Sequence, residues 1–234
     1  MQEIIIGKLK KLDYAAEEEY KSLRTNLQFC GKGVKVIAVT SCIPNEGKSS
    51  ITINIARSIA ETGKKVLLVD ADMRKSVLVG RHRISKAANG LSHFLSGFRE
   101  LDEVLCQTNI PNLFMILAGP VPPNPSELLG SPVFKNFIKA AREKFDYILV
   151  DCPPLGSVID AAVVSQVCDG MCLVLTANEI SYKFAQKVKE QMDKTNCRIL
   201  GVILNKVKFR KNSYYGKYYG KYYGEYYAKD NGGR

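Results

Sequence analysis

The sequence predicts an α/β protein: a mostly parallel β-sheet with helices on both faces, followed by a disordered, tyrosine-rich C-terminal tail. Three observations carry that expectation. Short apolar runs such as K-V-L-L-V-D at 65–70 and D-Y-I-L-V-D at 146–151 have the composition of strands buried on both faces. These runs alternate with segments of helical character, as parallel strands joined by crossover helices do. Beyond residue 208 the composition changes to repeated tyrosine, glycine and lysine, without the aliphatic residues a core needs.

The 234 residues, 46% of them hydrophobic, suffice for one full core. The chain divides into a globular domain, 1–207, and a tail, 208–234. No apolar run approaches the about 18 residues of a membrane-spanning helix. Residues 1–11 lack the apolar centre of a signal peptide, so a cytoplasmic protein is expected. The seven cysteines are scattered without paired C-x-x-C spacing and read as reduced core thiols. His82 and His93 have no partner spacing either and are expected at the surface. The formal charge of +11 suggests an acidic partner, such as nucleic acid or an anionic membrane face. The tail supplies +5 of it, so the folded part is only moderately basic.

In chain order, residues 13–30 read as a helix whose apolar stripe is Tyr20, Leu23, Leu27 and Cys30. Glu18, Lys21 and Arg24 lie three apart on a neighbouring row, which in itself describes a solvated face with helix-stabilising ion pairs. Next comes V-I-A-V-T-S-C-I-P-N-E-G-K-S-S-I at 36–51, the stretch that organises the chain. Four apolar β-formers run into a loop that closes on Gly47-Lys48-Ser49 and opens a helix at 50–60. The strand at 65–70 ends in Asp70, and Asp72 follows in D-A-D-M-R. Residues i and i+2 of an extended segment face the same way, so both carboxylates can point at the loop, and Arg74 continues that side.

A polar, basic loop at 74–86 leads to short helical pieces at 91–96 and 101–106 and to a strand at 113–117. Four prolines in 118–125 exclude helix and central strand and require a fixed loop. A helical run from Ser126, interrupted at 130–132, continues to 145. The strand at 146–151 ends in Asp151, and Pro153 and Pro154 stop it at once. A helix at 160–167, a strand at 170–176, a helix at 181–195 and a strand at 199–204 complete the alternation.

The segment 41–49 has the form of a phosphate-binding loop, with Ser41 replacing the first glycine and Asn45 at a position that often carries another. Serine is small and asparagine tolerates positive φ, so neither change is fatal. Backbone N–H groups of such a loop converge on one concavity, Lys48 can reach the β- and γ-phosphates, and the Ser49 hydroxyl can ligand Mg²⁺. The candidate nucleotide contacts are Ser41, Asn45, Glu46, Gly47, Lys48, Ser49 and Ser50. ATP with Mg²⁺ is the expected ligand and a P-loop NTPase the expected fold.

The run 146–151 has the form of a Walker B segment. Asp151 alone could be a strand cap, but beside Lys48 and Asp70 it reads as part of a metal site. All these residues fall at the carboxyl ends of strands, where parallel sheets bind ligands.

The tail holds eight of the twelve tyrosines: Tyr214, Tyr215, Tyr218, Tyr219, Tyr222, Tyr223, Tyr226 and Tyr227. By itself it could be a sticky aromatic tail or a stacking segment for nucleic acid. In one chain with an ATP site it reads as the segment that is phosphorylated. Each phosphate adds about −1.5 to −2 charges, so full modification would turn the tail from +5 to roughly −7 to −11.

Five segments in this order, S-C-I-P-N-E-G-K-S-S, V-L-L-V-D-A-D-M-R, G-P-V-P-P-N-P-S-E-L-L, Y-I-L-V-D-C-P-P and the tyrosine cluster, resemble the bacterial tyrosine kinases of the CpsD/CapB type. That family shares a P-loop fold with the MinD/ParA ATPases, and the likeness covers nearly the whole chain. It implies that Lys48 binds phosphates, that Ser49 ligands Mg²⁺ and that Asp151 holds Mg²⁺ through water. Asp70 would be a metal-shell residue and general base for the tyrosine hydroxyl, assisted by Asp72, in an in-line γ-phosphoryl transfer. Asn205 resembles the family's base-contacting asparagine, a capping residue being the other reading.

The resemblance also implies a homo-oligomeric ring, an octamer, in which one subunit's tail enters a neighbour's site. Its helical motif E-x-x-R-x-x-R would be Glu18, Lys21 and Arg24 here, with lysine losing the bidentate fork of the first arginine. A transmembrane activator of the polysaccharide co-polymerase type is implied, which would recruit the chain to the inner face of the plasma membrane. So are a cognate phosphotyrosine phosphatase, protein tyrosine substrates, and a role in capsular or exopolysaccharide biosynthesis and export. No nucleic-acid partner is expected.

Two other readings compete. A MinD/ParA-like positioning ATPase would carry a second lysine directly after the first loop residue, where this chain has Cys42. A nucleic-acid-binding module would leave Asp70, Asp72 and Asp151 unexplained.

Overall fold

The computed structural model describes residues 1–7, 12–85 and 89–207. The elements run β1 (Gln2–Ile4), α1 (Tyr14–Phe29), β2 (Val36–Ser41), α2 (Lys48–Ala60), β3 (Val66–Asp70), α3 (Leu78–His82), α4 (Leu91–Leu95) and α5 (Leu101–Val104). They continue with β4 (Cys106–Thr108), β5 (Leu113–Ile116), α6 (Pro125–Gly130), α7 (Pro132–Lys144), β6 (Tyr147–Asp151), α8 (Asp160–Ser165), β7 (Gly170–Thr176), α9 (Tyr182–Asp193) and β8 (Ile199–Asn205). The tyrosine cluster, 214–227, lies outside the described residues.

The eight strands form one sheet in the order β1-β4-β5-β3-β6-β2-β7-β8. The six from β5 to β8 are parallel, and only the β4–β5 pairing is antiparallel. Alternate residues of the central strands feed two cores. Val36 and Ala38 of β2 join Phe134, Phe137, Val188 and Met192 on the face covered by α6 to α9. Ile37 and Val39 join Ile53, Ile55, Ile59 and Leu27 on the face covered by α1 and α2. Burying both faces explains why these strands read as unbroken apolar runs.

Local chemistry sets the helix ends. Asp13 accepts from the Ala16 N–H at 2.9 Å and starts α1. Ser131 ends α6 and caps α7, with Pro132 at the first helical position, which is why the helical run breaks there.

Several expectations need correction. β1 and β4, three residues each, were not anticipated, since a strand this short shows no periodicity. The stretch expected as a polar loop after Arg74 contains α3, which buries Leu78 and His82. His82 is therefore a core residue at 5% exposure, not a surface group, and His93 is half-buried. All seven cysteines are free thiols, with Cys42, Cys106, Cys152 and Cys172 buried. Among the described residues no helix is long and apolar enough to cross a membrane.

Candidate active site

The loop between β2 and α2 takes its shape from two left-handed residues, Asn45 at φ 68° and Gly47 at φ 94°. Gly47 is required twice over. Its positive φ disfavours other residues, and a Cβ there would lie 2.2 Å from Asn205 Nδ2. The Glu46 side chain is turned inward, away from the concavity. Its Oε2 accepts from the Cys42 and Ile43 N–H groups at 2.7 and 2.9 Å, and its Oε1 from the Thr176 N–H at 2.8 Å. It braces the loop from within and ties it to the end of β7. The Asn205 amide donates to the Glu46 carbonyl at 2.7 Å, so the end of β8 is tied to the loop as well.

Lys48 opens α2 with its ammonium among three carboxylates. Nζ lies 3.1 Å from Asp72 Oδ2, 3.6 Å from Asp151 Oδ1 and 3.2 Å from Ser49 Oγ. Burial would lower the Lys48 pKa, but Asp151 and Asp72 outweigh it and hold the ammonium above its ordinary value. Register brings the carboxylates together, because Asp70 of β3 pairs with Asp151 of β6. Asp70 accepts from the Asp72 N–H at 3.2 Å and from the Ser76 hydroxyl. Burial, then the Asp151 charge, push its pKa up to about 8. Asp151 is likewise raised by burial, with Lys48 opposing.

Both oxygens of Asp151 are buried without a hydrogen-bond partner among the described residues. A buried carboxylate with unused lone pairs, beside the Ser49 hydroxyl and Asp70, is the all-oxygen donor set a hard divalent cation takes. Among the described residues no cluster of three His, Cys, Asp or Glu side chains forms a ready metal cage. Mg²⁺ needs none, because it keeps several waters and takes one or two protein oxygens with the phosphates.

The structure thus brings Lys48, Ser49, Asp70, Asp72 and Asp151 into one cluster at the carboxyl edge of the sheet. Ser41 is buried and donates to the Ile43 carbonyl at 2.9 Å, while Asn45 is exposed and Ser50 half-buried at the helix start. Glu18, Lys21 and Arg24 stand apart on α1. Lys21 pairs with Glu18 at 2.7 Å, whereas Arg24 turns toward α2 and donates to the Ser58 carbonyl at 2.7 Å. Ser76 on Asp70, and Asp160, which holds Arg74, carry no local sequence signal.

Residues 34–201 match the AAA domain family (AAA_31). Tyrosine-protein kinase CpsD of Streptococcus pneumoniae serotype 4 is 47% identical over 207 residues, spanning 88% of this chain and 91% of that protein. The kinase domain of the Escherichia coli tyrosine kinase ETK superposes with a TM-score of 0.80 at 30% identity, over 88% of this chain and 84% of that one. The septum site-determining protein MinD of Pyrococcus horikoshii, solved with Mg-ADP, follows with a TM-score of 0.63 at 26% identity, over 73% of this chain and 69% of that one. The lysine and three aspartates therefore sit on a P-loop scaffold, and the chain belongs to the CpsD/CapB family of tyrosine-protein kinases.

Proposed function

We propose that the chain uses Mg·ATP to phosphorylate the tyrosines of its own C-terminal cluster, in trans within a homo-oligomer, and so regulates capsular or exopolysaccharide biosynthesis and export. Residues 1–207 would be the kinase domain and 208–234 the tail that is modified. A transmembrane activator would bring the cytoplasmic enzyme to the inner face of the plasma membrane, and a phosphotyrosine phosphatase would reset it. The observation that carries the reading is the Lys48 ammonium held at 3.1 and 3.6 Å from Asp72 and Asp151, with Asp70 beside them.

In that reading Lys48 leaves its carboxylate partners for the β- and γ-phosphates, which the loop N–H groups orient. Mg²⁺, when bound, neutralises phosphate charge, and Ser49 and Asp151 would hold it. Asp70, whose carboxyl is held above the ordinary range by burial and then by the Asp151 charge, would take the proton of a tyrosine hydroxyl once it has lost its own. The hydroxyl oxygen forms a bond to the γ-phosphorus as the bond to the β-phosphate oxygen breaks. ADP leaves and the proton stays on Asp70. Asn205, at the loop's edge, would contact the base, and Glu18, Lys21 and Arg24 would contribute to the subunit contact.

The test is the intact mass after incubation with Mg²⁺, ATP and the cytoplasmic segment of the activator, beside Lys48→Met. A ladder of phosphate additions on 214–227 that Lys48→Met abolishes is the expected result. ATP hydrolysis with an unmodified mass would overturn it in favour of a positioning ATPase of the MinD/ParA kind.

A further inference from the structure

Three segments meet at one point beside the catalytic cluster: the loop after β3, the first turn of α6, and the start of α8. Asp160, fully buried, takes Arg74 Nε at 2.7 Å on one oxygen and Nη2 at 3.0 Å on the other. This is the bidentate fork that fixes a guanidinium in plane. Ser126 Oγ donates to Asp160 Oδ1 at 2.6 Å and accepts from Arg74 Nη2 at 2.9 Å. The guanidinium is held through Nε and Nη2, which leaves the Nη1 end. Nη1 has no hydrogen-bond partner among the described residues, and 40% of the side chain remains exposed.

The place of this end is informative. Arg74 follows Asp72, the nearest partner of Lys48, by two residues, and Asp160 heads the helix that follows Asp151 and its loop. Arg74 therefore bridges the two strand ends that carry Asp70 and Asp151. Charge balance gives it a task. Asp72 and Asp151 outnumber Lys48 even with Asp70 protonated, and the loop residue after Ser41 is the buried, neutral Cys42. Lys206 is engaged with the Asn45 carbonyl at 3.0 Å and Glu179 at 3.7 Å. Phosphoryl transfer gathers negative charge on the transferred group and leaving oxygen, and preorganised cations stabilise it.

We propose that Arg74 is a further catalytic residue, whose free Nη1 end contacts the γ-phosphoryl group of ATP as it transfers, with Asp160 and Ser126 as the positioning residues. This rests on the kinase reading above for the reaction it serves. Arg74 stays protonated throughout and exchanges no atom with the substrate.

The full chain is compared with Arg74→Ala, Arg74→Lys and Asp160→Asn for affinity to Mg·ADP with and without aluminium fluoride, for ATP turnover and for melting temperature. Arg74→Ala is expected to bind Mg·ADP within about threefold of the parent and to lose the tightening by aluminium fluoride. Its kcat should fall on the order of 10²- to 10³-fold with little change in KM. Arg74→Lys should recover little, because an ammonium cannot serve Asp160 and the phosphoryl group at once. Asp160→Asn should lower kcat less than Arg74→Ala does. An Arg74→Ala protein that keeps the aluminium fluoride tightening and its kcat would overturn the proposal. So would one that loses ADP affinity in step with its melting temperature, since the cluster would then be a structural clamp. Turnover without tyrosine phosphorylation in the parent would sink the kinase reading alone, while the analogue binding still decides the role of Arg74.

Discussion

Asp70 and Asp151 stand opposite each other in register on the adjacent parallel strands β3 and β6, two buried carboxylates at one level of the sheet. Neither is neutralised by a dedicated partner. Lys48 divides its charge between Asp72 and Asp151, and Asp70 has only hydrogen bonds. The ligand-free site therefore keeps Asp70 protonated below about pH 8 and still sets two carboxylates against one ammonium, which disfavours folding and favours whatever cation arrives.

Removing one of these carboxylates should stabilise the ligand-free protein and impair the enzyme. The folded pKa of Asp70, about 8, lies above its ordinary 3.8, so between those values the folded chain keeps a proton that the unfolded chain has lost. Stability must then fall as pH rises from about 4 to 8. Asp70→Asn should flatten that slope, raise the melting temperature at pH 8, and cut tyrosine transfer about 10²- to 10⁴-fold. Thermal unfolding of both proteins across this range checks it, and parallel slopes would count against it.

Glu46 should matter through the loop it braces. Glu46→Ala leaves three N–H groups, of Cys42, Ile43 and Thr176, without their acceptor. We expect a loss of about 2–4 kcal/mol in urea unfolding and a higher KM for ATP with a smaller change in kcat. Glu46→Gln, which keeps one acceptor oxygen, should fall between. A kcat loss at unchanged KM would show that the carboxylate does chemistry instead.

Gly47 and Asn205 should behave as a coupled pair. Gly47→Ala places a methyl 2.2 Å from the asparagine amide at φ 94°, so nucleotide affinity should collapse. Adding Asn205→Ala removes the clash and leaves the backbone strain of about 1–2 kcal/mol together with the loss of the asparagine's own contacts. The double variant should thus be better than additive. A double-mutant cycle in ADP affinity reads this directly, and simple additivity would refute it.

Asp169 should set part of the acid limb of stability. Desolvation works against its carboxylate, but Arg142 at 2.7 Å and the Val36 and Lys35 N–H groups, each at 2.8 Å, outweigh it and hold its pKa below 3.8. A depressed pKa gives stability that is present above the unfolded value and lost as pH falls through the folded one. Asp169→Asn should therefore cost about 1–3 kcal/mol at pH 7 and progressively less as the pH falls below 3.8. Urea midpoints across this range test it.

The architecture was legible where many residues repeat one signal. Buried strands such as β2, β3 and β6 are apolar throughout, and the Gly47-Lys48-Ser49 loop announces the helix after it. Strands of three residues carry no such signal, and β1 and β4 exist because neighbours supply their partners. The nucleotide loop and the aspartates were readable because their chemistry demands particular residues at fixed spacing. The inward turn of Glu46, the burial of His82, the hold of Ser58 on Arg24 and the Arg74–Asp160 fork depend on contacts between segments far apart in sequence. Local pattern cannot show which of two polar side chains turns toward the other.

The last described turn of the chain is bolted to the phosphate loop at two points, Asn205 Nδ2 on the Glu46 carbonyl and Lys206 Nζ on the Asn45 carbonyl. Any tension carried along the polypeptide beyond Val207 meets these fastenings before it reaches the bulk of the sheet. The end of β8 and the nucleotide cradle are thus fastened so that neither shifts without straining the other.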